Sequence, residues 1–93
     1  MCADLELDKY PGHWVQDCSA ATQNLLLAAH ARGLGVVWLG VYPDEERVAG
    51  LKSTLGLPEQ VVPLCVVPLG HPAARQQPPA RRYDETRLHH DHW

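Results

Sequence analysis

From Trp14 to Arg32 the chain reads WVQDCSAATQNLLLAAHAR, with no glycine or proline and a high content of Ala and Leu. That composition predicts a helix, which Gly33 ends. The polar residues Gln16, Ser19, Gln23 and His30 form only a thin stripe, while Cys18, Ala21, Leu25, Leu26, Ala28 and Ala29 cover most of the circumference. A helix apolar almost all round needs neighbours on several sides. The rest of the chain must therefore supply covering structure, or another chain must.

The flanking segments supply little. Residues 1–13, MCADLELDKYPGH, open with alternation at Cys2, Ala3, Leu5 and Leu7 and close on a Pro11-Gly12 turn signal, which predicts a strand fragment and a loop. GVVWLGVY, Gly35 to Tyr42, is a continuously apolar, β-branched and aromatic run that predicts a buried strand stopped by Pro43. Asp44 can cap a second helix running to about Leu55, with Val48, Leu51 and Leu55 on one face. Gly56-Leu57-Pro58 then gives a C′ glycine, an apolar contact and a stop. VVPLCVVPLG, Val61 to Gly70, predicts a second buried strand that Pro63 and Pro68 confine to an edge, a bulge or the span between them. Residues 73–82 carry no periodicity and are expected to be extended. YDETRLHHDHW can form a short last helix capped by Asp84.

This order predicts a mixed α and β domain with one buried helix, one surface helix and strands between them. Two fully apolar strands call for a sheet covered on both faces, yet only one other helix is available to cover them. The inventory is that of part of a larger core.

The 93 residues suffice for one small domain, and 45% hydrophobic with 20% charged residues is a globular composition. A net charge of −3 offers no broad basic surface, so nucleic acid is not an expected partner. Arg75, Arg81, Arg82 and Arg87 form the one local basic cluster. Cys2, Cys18 and Cys65 are an odd count without CxxC spacing, and the last two lie in apolar runs, as expected of reduced thiols. With no signal-peptide pattern after Met1 and no apolar run of membrane-spanning length, the expected location is the cytoplasm.

The glycines of HARGLGVVWLGVYPDEERV, His30 to Val48, suggest a phosphate cradle only at first sight. Phosphate loops run from strand through glycines into a helix N-terminus, whereas Gly33 and Gly35 come after a helix and precede a strand. Gly33 is expected to be a left-handed helix stop. Gly40 sits at the end of an apolar strand, where glycine marks either a bulge or a point of close approach by a ligand. Trp38 and Tyr42 then read either as pocket wall or as core aromatics. His89 and His92 would share a face if their segment were helical, but two imidazoles at a chain end make no closed metal site, and none is expected. Ser19, Ser53 and Cys65 lack a placed base, and Asp17, Asp44, Glu45 and Glu46 look like caps or surface acids, so no catalytic side chain is expected. Any chemistry here must belong to a cofactor.

Taken together, DCSAATQNLLLAAHARGLGVVWLGVYP, RVAGLKSTLGLPEQVVPLCVVPLGHPA and the terminal RRYDETRLHHDHW closely resemble the C-terminal half of the FMN-dependent nitroreductase family, from Trp14 to Trp93. The resemblance implies an α+β sandwich, present here in part. It also implies an intertwined homodimer with FMN in pockets at the subunit interface. NAD(P)H would deliver hydride to the flavin, and a nitro compound, quinone or similar acceptor would take electrons from it. Carried onto this sequence, Trp38, Leu39, Gly40 and Val41 would line the isoalloxazine, with a backbone N–H near Gly40 or Val41 facing its N5 side. Arg82 would reach the FMN phosphate. Two departures stand out. The family's arginine and serine segment for phosphate and ribityl, which lies in its N-terminal half, is not in this sequence. Ala80 stands where many relatives have a lysine, with Arg81 as a substitute. The expectation is a truncated or split frame: a strand remnant and loop at 1–13, a core at 14–72 and an extended tail at 73–93, completed by a partner chain. The alternative is a non-catalytic interaction or dimerisation module derived from the same family.

Overall fold

The computed structural model describes residues 1–74, 77, 80 and 82–93. Helix α1 spans Trp14–Ala31, with Arg32 as its C-cap, close to the expected extent. It stops where glycine lets it stop. Gly33 takes a left-handed φ of 74°. The Gly33 N–H then donates to His30 O and the Leu34 N–H to Ala29 O, at 2.9 and 3.0 Å, the crossed pair of bonds that closes a helix on a left-handed residue. Helix α2, Glu45–Leu55, ends the same way: Gly56 has φ 63°, and the Leu57 N–H returns to Lys52 O at 3.0 Å. At its start the Asp44 carboxylate accepts from the Arg47 N–H at 3.0 Å, the cap expected from the sequence.

The strands are shorter than the apolar runs that contain them. β1 (Cys2–Asp4), β2 (Gly35–Val36), β3 (Leu39–Gly40), β4 (Val61–Pro63), β5 (Cys65–Val66) and β6 (Leu69–Gly70) form three antiparallel pairings, β1 with β4, β2 with β6 and β3 with β5. Gly35 opposes Gly70, Val36 opposes Leu69, Leu39 opposes Val66 and Gly40 opposes Cys65. These four pairs share one register, so 35–40 and 65–70 form one ribbon interrupted in the middle. The interruption has a cause: in that register Pro68 falls opposite Val37, and proline has no N–H to donate. The expected strand from Gly35 to Tyr42 is thus cut into two pieces, and the expected single strand from Val61 to Gly70, which also changes partner at Leu64, into three. Leu64 sits between two of these pairings. Its N–H donates to Met1 O at 3.0 Å, and its carbonyl accepts from the N–H groups of Val41 and Tyr42 at 3.0 and 3.1 Å.

The core is small: Ala3, Trp14, Leu64 and Cys65, with Val15, Cys18, Trp38, Val62 and Val67 packed against it. Trp14 meets Tyr42 edge to face at 4.8 Å between centroids. On α1 only Trp14, Thr22 and Ala29 are buried. Thr22 is fully buried, and its hydroxyl donates to Cys18 O at 2.7 Å while touching the Cys65 sulfur at 3.7 Å. One stripe of the helix is therefore covered, and Leu25 and Leu27 on its other sides are exposed. The sheet pieces are likewise half-exposed rather than covered on both faces. The chain exposes 7861 Å², whereas a monomer of its mass is expected to expose about 5,400 Å².

The C-terminal segment differs from expectation. Asp84 does cap it, accepting from the Thr86 N–H at 3.1 Å, but the capped residues form one 3-10 turn, Glu85–Arg87, and no helix. His89 and His92 therefore share no helical face; His89 packs edge-on against Trp93 at 4.3 Å. Among the described residues no helix is long and apolar enough to cross a membrane.

Candidate functional site

Four sequence-selected residues, Trp38 to Val41, lie where β3 leaves the ribbon. Their environments divide them. Trp38 is half-buried against the core cluster, and Val41 is only 7% exposed. Leu39 and Gly40 face outward. The segment is anchored through Trp38 and Val41 and presents Leu39 and Gly40.

Nothing among the described residues demands glycine at position 40. Its φ is not among the left-handed ones, unlike Gly12, Gly33 and Gly56. A Cβ built there meets no atom within 4 Å, whereas one at Gly35 would lie 3.5 Å from Gly70 O. It is also no bulge, since the register of Leu39 and Gly40 against Val66 and Cys65 is unbroken. The space over Gly40 is open to a group from outside the chain.

Hydrogen bonding narrows which backbone groups face that space. The Val41 N–H is engaged with Leu64 O, so it cannot serve a ligand. Antiparallel pairs alternate between bonded and non-bonded types. Val41 bonds to Leu64, so the neighbouring Gly40–Cys65 pair is of the non-bonded type. Cys65 accordingly turns its carbonyl toward the Met1 nitrogen, 3.0 Å away. Gly40 turns its carbonyl outward, where Arg47 Nη1 donates to it at 3.2 Å. Arg47 Nε in turn lies 3.3 Å from Asp44 Oδ2. Sequence reasoning placed Asp44 as a cap but missed this clasp; the only signal was an acid and an arginine three residues apart at a helix start.

Arg82, the fifth selected residue, is exposed. Among the described residues no hydrogen bond or ion pair joins it to Trp38–Val41. Arg75 and Arg81 lie outside the described residues. Open clefts among the described residues lie elsewhere. One of about 270 Å³ lies between the 4–10 segment and the first turn of α1, lined by Asp8, Lys9, His13 and Asp17 among others. The other, of about 510 Å³, lies along β2 and β6. Neither includes Gly40, and neither is enclosed.

Among the described residues the titratable groups add no catalytic pair. Burial, and then the Asp17 carboxylate, pushes the Cys18 thiol up, which disfavours its thiolate. Hydrogen bonds from the Thr86 hydroxyl and N–H, with help from Arg87, hold Asp84 below the ordinary carboxylate range. Among the described residues no cluster of His, Cys, Asp and Glu could hold a metal ion.

The Nitroreductase family model matches residues 8–71, most of the chain. A protein of Methanothermobacter thermautotrophicus, provisionally named an NADH dehydrogenase/NAD(P)H nitroreductase, is 52% identical over 94 residues that take in all of this chain and 48% of that protein. A crystal structure of a Bacteroides thetaiotaomicron protein with the same provisional name is 43% identical, with a TM-score of 0.89 over 99% of this chain and 52% of that one. That of a Clostridium acetobutylicum protein, provisionally an NADH oxidase, is 39% identical with a TM-score of 0.93, over 99% of this chain and 55% of that one. The chain spans about half the length of these relatives. With its α+β architecture, its two glycine-closed helices and this agreement in sequence and fold, the chain belongs to the nitroreductase family.

Proposed function

We propose that residues 1–93 are the C-terminal half of an FMN-dependent NAD(P)H oxidoreductase of the nitroreductase type, acting on a nitro compound, quinone or similar acceptor in the cytoplasm. The observation that carries this is Gly40: an exposed strand-end glycine beside the half-buried Trp38, required by nothing among the described residues, with open space where a Cβ would stand. A flat ring can approach backbone closely over such a glycine. FMN, when bound, supplies the hydride and electron transfer, which accords with the lack of a tuned acid, base or nucleophile among the described side chains. The part of this chain is to hold it. Leu39 and Gly40 offer the contact surface, Trp38 and Val41 fix that surface to the core, and Arg82 offers a guanidinium to a phosphate. The provisional names of the relatives, with NADH or NAD(P)H in them, support a nicotinamide donor.

A half fold explains the excess exposed surface and the one-sided cover of α1. In this reading 14–72 is the core, the tail proposed for 73–93 lies partly outside the described residues, and the missing walls come from an N-terminal half or from a homodimeric partner. The purified chain is expected to bind FMN weakly, with no stoichiometric endpoint in a flavin fluorescence titration; a tight, stoichiometric endpoint would contradict the half-pocket. Co-expression with the other half of the Methanothermobacter relative is expected to give a yellow complex that oxidises NAD(P)H. A soluble complex that stays colourless would sink the oxidoreductase reading.

One observation favours a second reading. Leu25 and Leu27 stand exposed on α1, as they would in a non-catalytic module that docks through this helix on a full-length relative. Capture of that relative without flavin bound at Gly40 is the outcome expected of this module.

A further inference from the structure

We infer that Arg47 is a positioning residue: its guanidinium sets the orientation of the Gly40–Val41 peptide at the open strand end. Its relevance to a flavin rests on the function proposed above; the positioning itself does not.

The need arises from glycine. Gly40 has the widest backbone freedom of any residue, it stands at the end of a two-residue strand, and no side-chain contact fixes it. Its following peptide is nonetheless pinned at both ends. Val41 N–H donates to Leu64 O at 3.0 Å on the core side. Gly40 C=O accepts from Arg47 Nη1 at 3.2 Å on the outer side. Leu64 is buried and cannot follow a rotation, so the outer bond decides whether the peptide stays in one orientation.

Arg47 suits the task because it is itself held. Asp44 Oδ2 forms an ion pair with its Nε at 3.3 Å, while the other oxygen of the same carboxylate caps the helix by accepting from the Arg47 N–H at 3.0 Å. The Asp44 N–H donates to Val41 O at 3.1 Å, which closes the circuit back onto the strand end. A planar guanidinium can serve carboxylate and carbonyl together from one rigid fork; an ammonium on a flexible stem cannot hold both in a fixed geometry. The ion pair is exposed and adds little to stability. Its consequence is the direction of one peptide group.

The test uses the full 93-residue chain in four forms: unaltered, Arg47→Met, Arg47→Lys and Asp44→Asn. Asn keeps the cap acceptor but removes the charge that orients Arg47. Far-UV circular dichroism is expected to be alike in all four, because the backbone cap survives in each. The carbonyl carbon resonance of Gly40 and the amide resonance of Val41 are expected to move in Arg47→Met, to move less in Asp44→Asn, and to be incompletely restored in Arg47→Lys. FMN titrated into the chain is expected to bind Arg47→Met about tenfold more weakly than the unaltered chain. Unmoved Gly40 and Val41 resonances in Arg47→Met would overturn the inference; moved resonances with unchanged FMN affinity would uphold the positioning and overturn its relevance to a flavin. If the unaltered chain shows no FMN binding even at millimolar flavin, and none once the other half is supplied, the proposed function fails, while the Gly40 resonance still decides the role of Arg47.

Discussion

At the scale of single residues, the glycines divide into those that hold a left-handed φ and those, Gly40 among them, that do not. Gly33 holds a left-handed φ of 74°, so Gly33→Ala is expected to cost about 1–2 kcal/mol in chemical denaturation. Gly40→Ala meets no atom within 4 Å and has no such φ, so it is expected to stay within about 0.5 kcal/mol of the unaltered chain. It should nevertheless weaken FMN binding in the complex with the other half. The reverse pattern, a destabilised Gly40→Ala with unchanged flavin affinity, would make Gly40 a structural glycine. Thiol chemistry offers a second check. Cys2 is exposed, Cys18 intermediate and Cys65 buried, and burial raises Cys18 further. Iodoacetamide at neutral pH is expected to modify Cys2 first, with Cys65 inert until the chain unfolds. The helix stop at Gly33 was legible in the sequence because glycine after an apolar helix has one common meaning. The Arg47 clasp was not: a contact between Arg47 and Gly40 depends on how α2 turns back on β3, which no local pattern encodes.

At the scale of elements, the caps were the best-encoded features. Asp44 and Asp84 both accept from a backbone N–H two or three residues on, as their positions before helical segments implied. Asp44→Ala is expected to cost about 1 kcal/mol and to reduce the helical circular dichroism of α2, with Asp44→Asn close to unaltered in helicity. The turn at Glu85–Arg87 should be pH-dependent. Asp84 has a lowered folded-state pKa, so its contribution is present above its unfolded value and is lost as the pH falls through the folded one. The amide resonance of residue 86 is expected to report this, titrating at lower pH in the unaltered chain than in Thr86→Ala, which lacks the hydroxyl that donates to Asp84. Strand extents were the least legible. Apolar runs such as GVVWLGVY marked where strands lie but not how long they are, because ladder length depends on the partner's register. Here that register sets Pro68 against Val37 and breaks the ribbon.

At the scale of the molecule, the decisive quantity is uncovered surface. α1 buries one stripe through Trp14, Thr22 and Ala29, and its remaining apolar sides await another structure. The purified chain is expected to self-associate with rising concentration in size-exclusion chromatography with light scattering. Leu25→Glu together with Leu27→Glu should return it to monomer without loss of helicity. A double variant that associates like the unaltered chain would place the contact elsewhere. The sequence by itself determined the two helices, their caps and stops, the presence of strands between them and the shortage of cover for α1, because each arises from local propensity or from the periodicity of apolar residues. Only the tertiary structure decided which strand pieces pair, that Leu64 joins two pairings, and that Gly40 faces open space while Val41 spends its N–H on the core. Those depend on contacts between residues far apart in the chain, where geometry rather than residue type selects the partner.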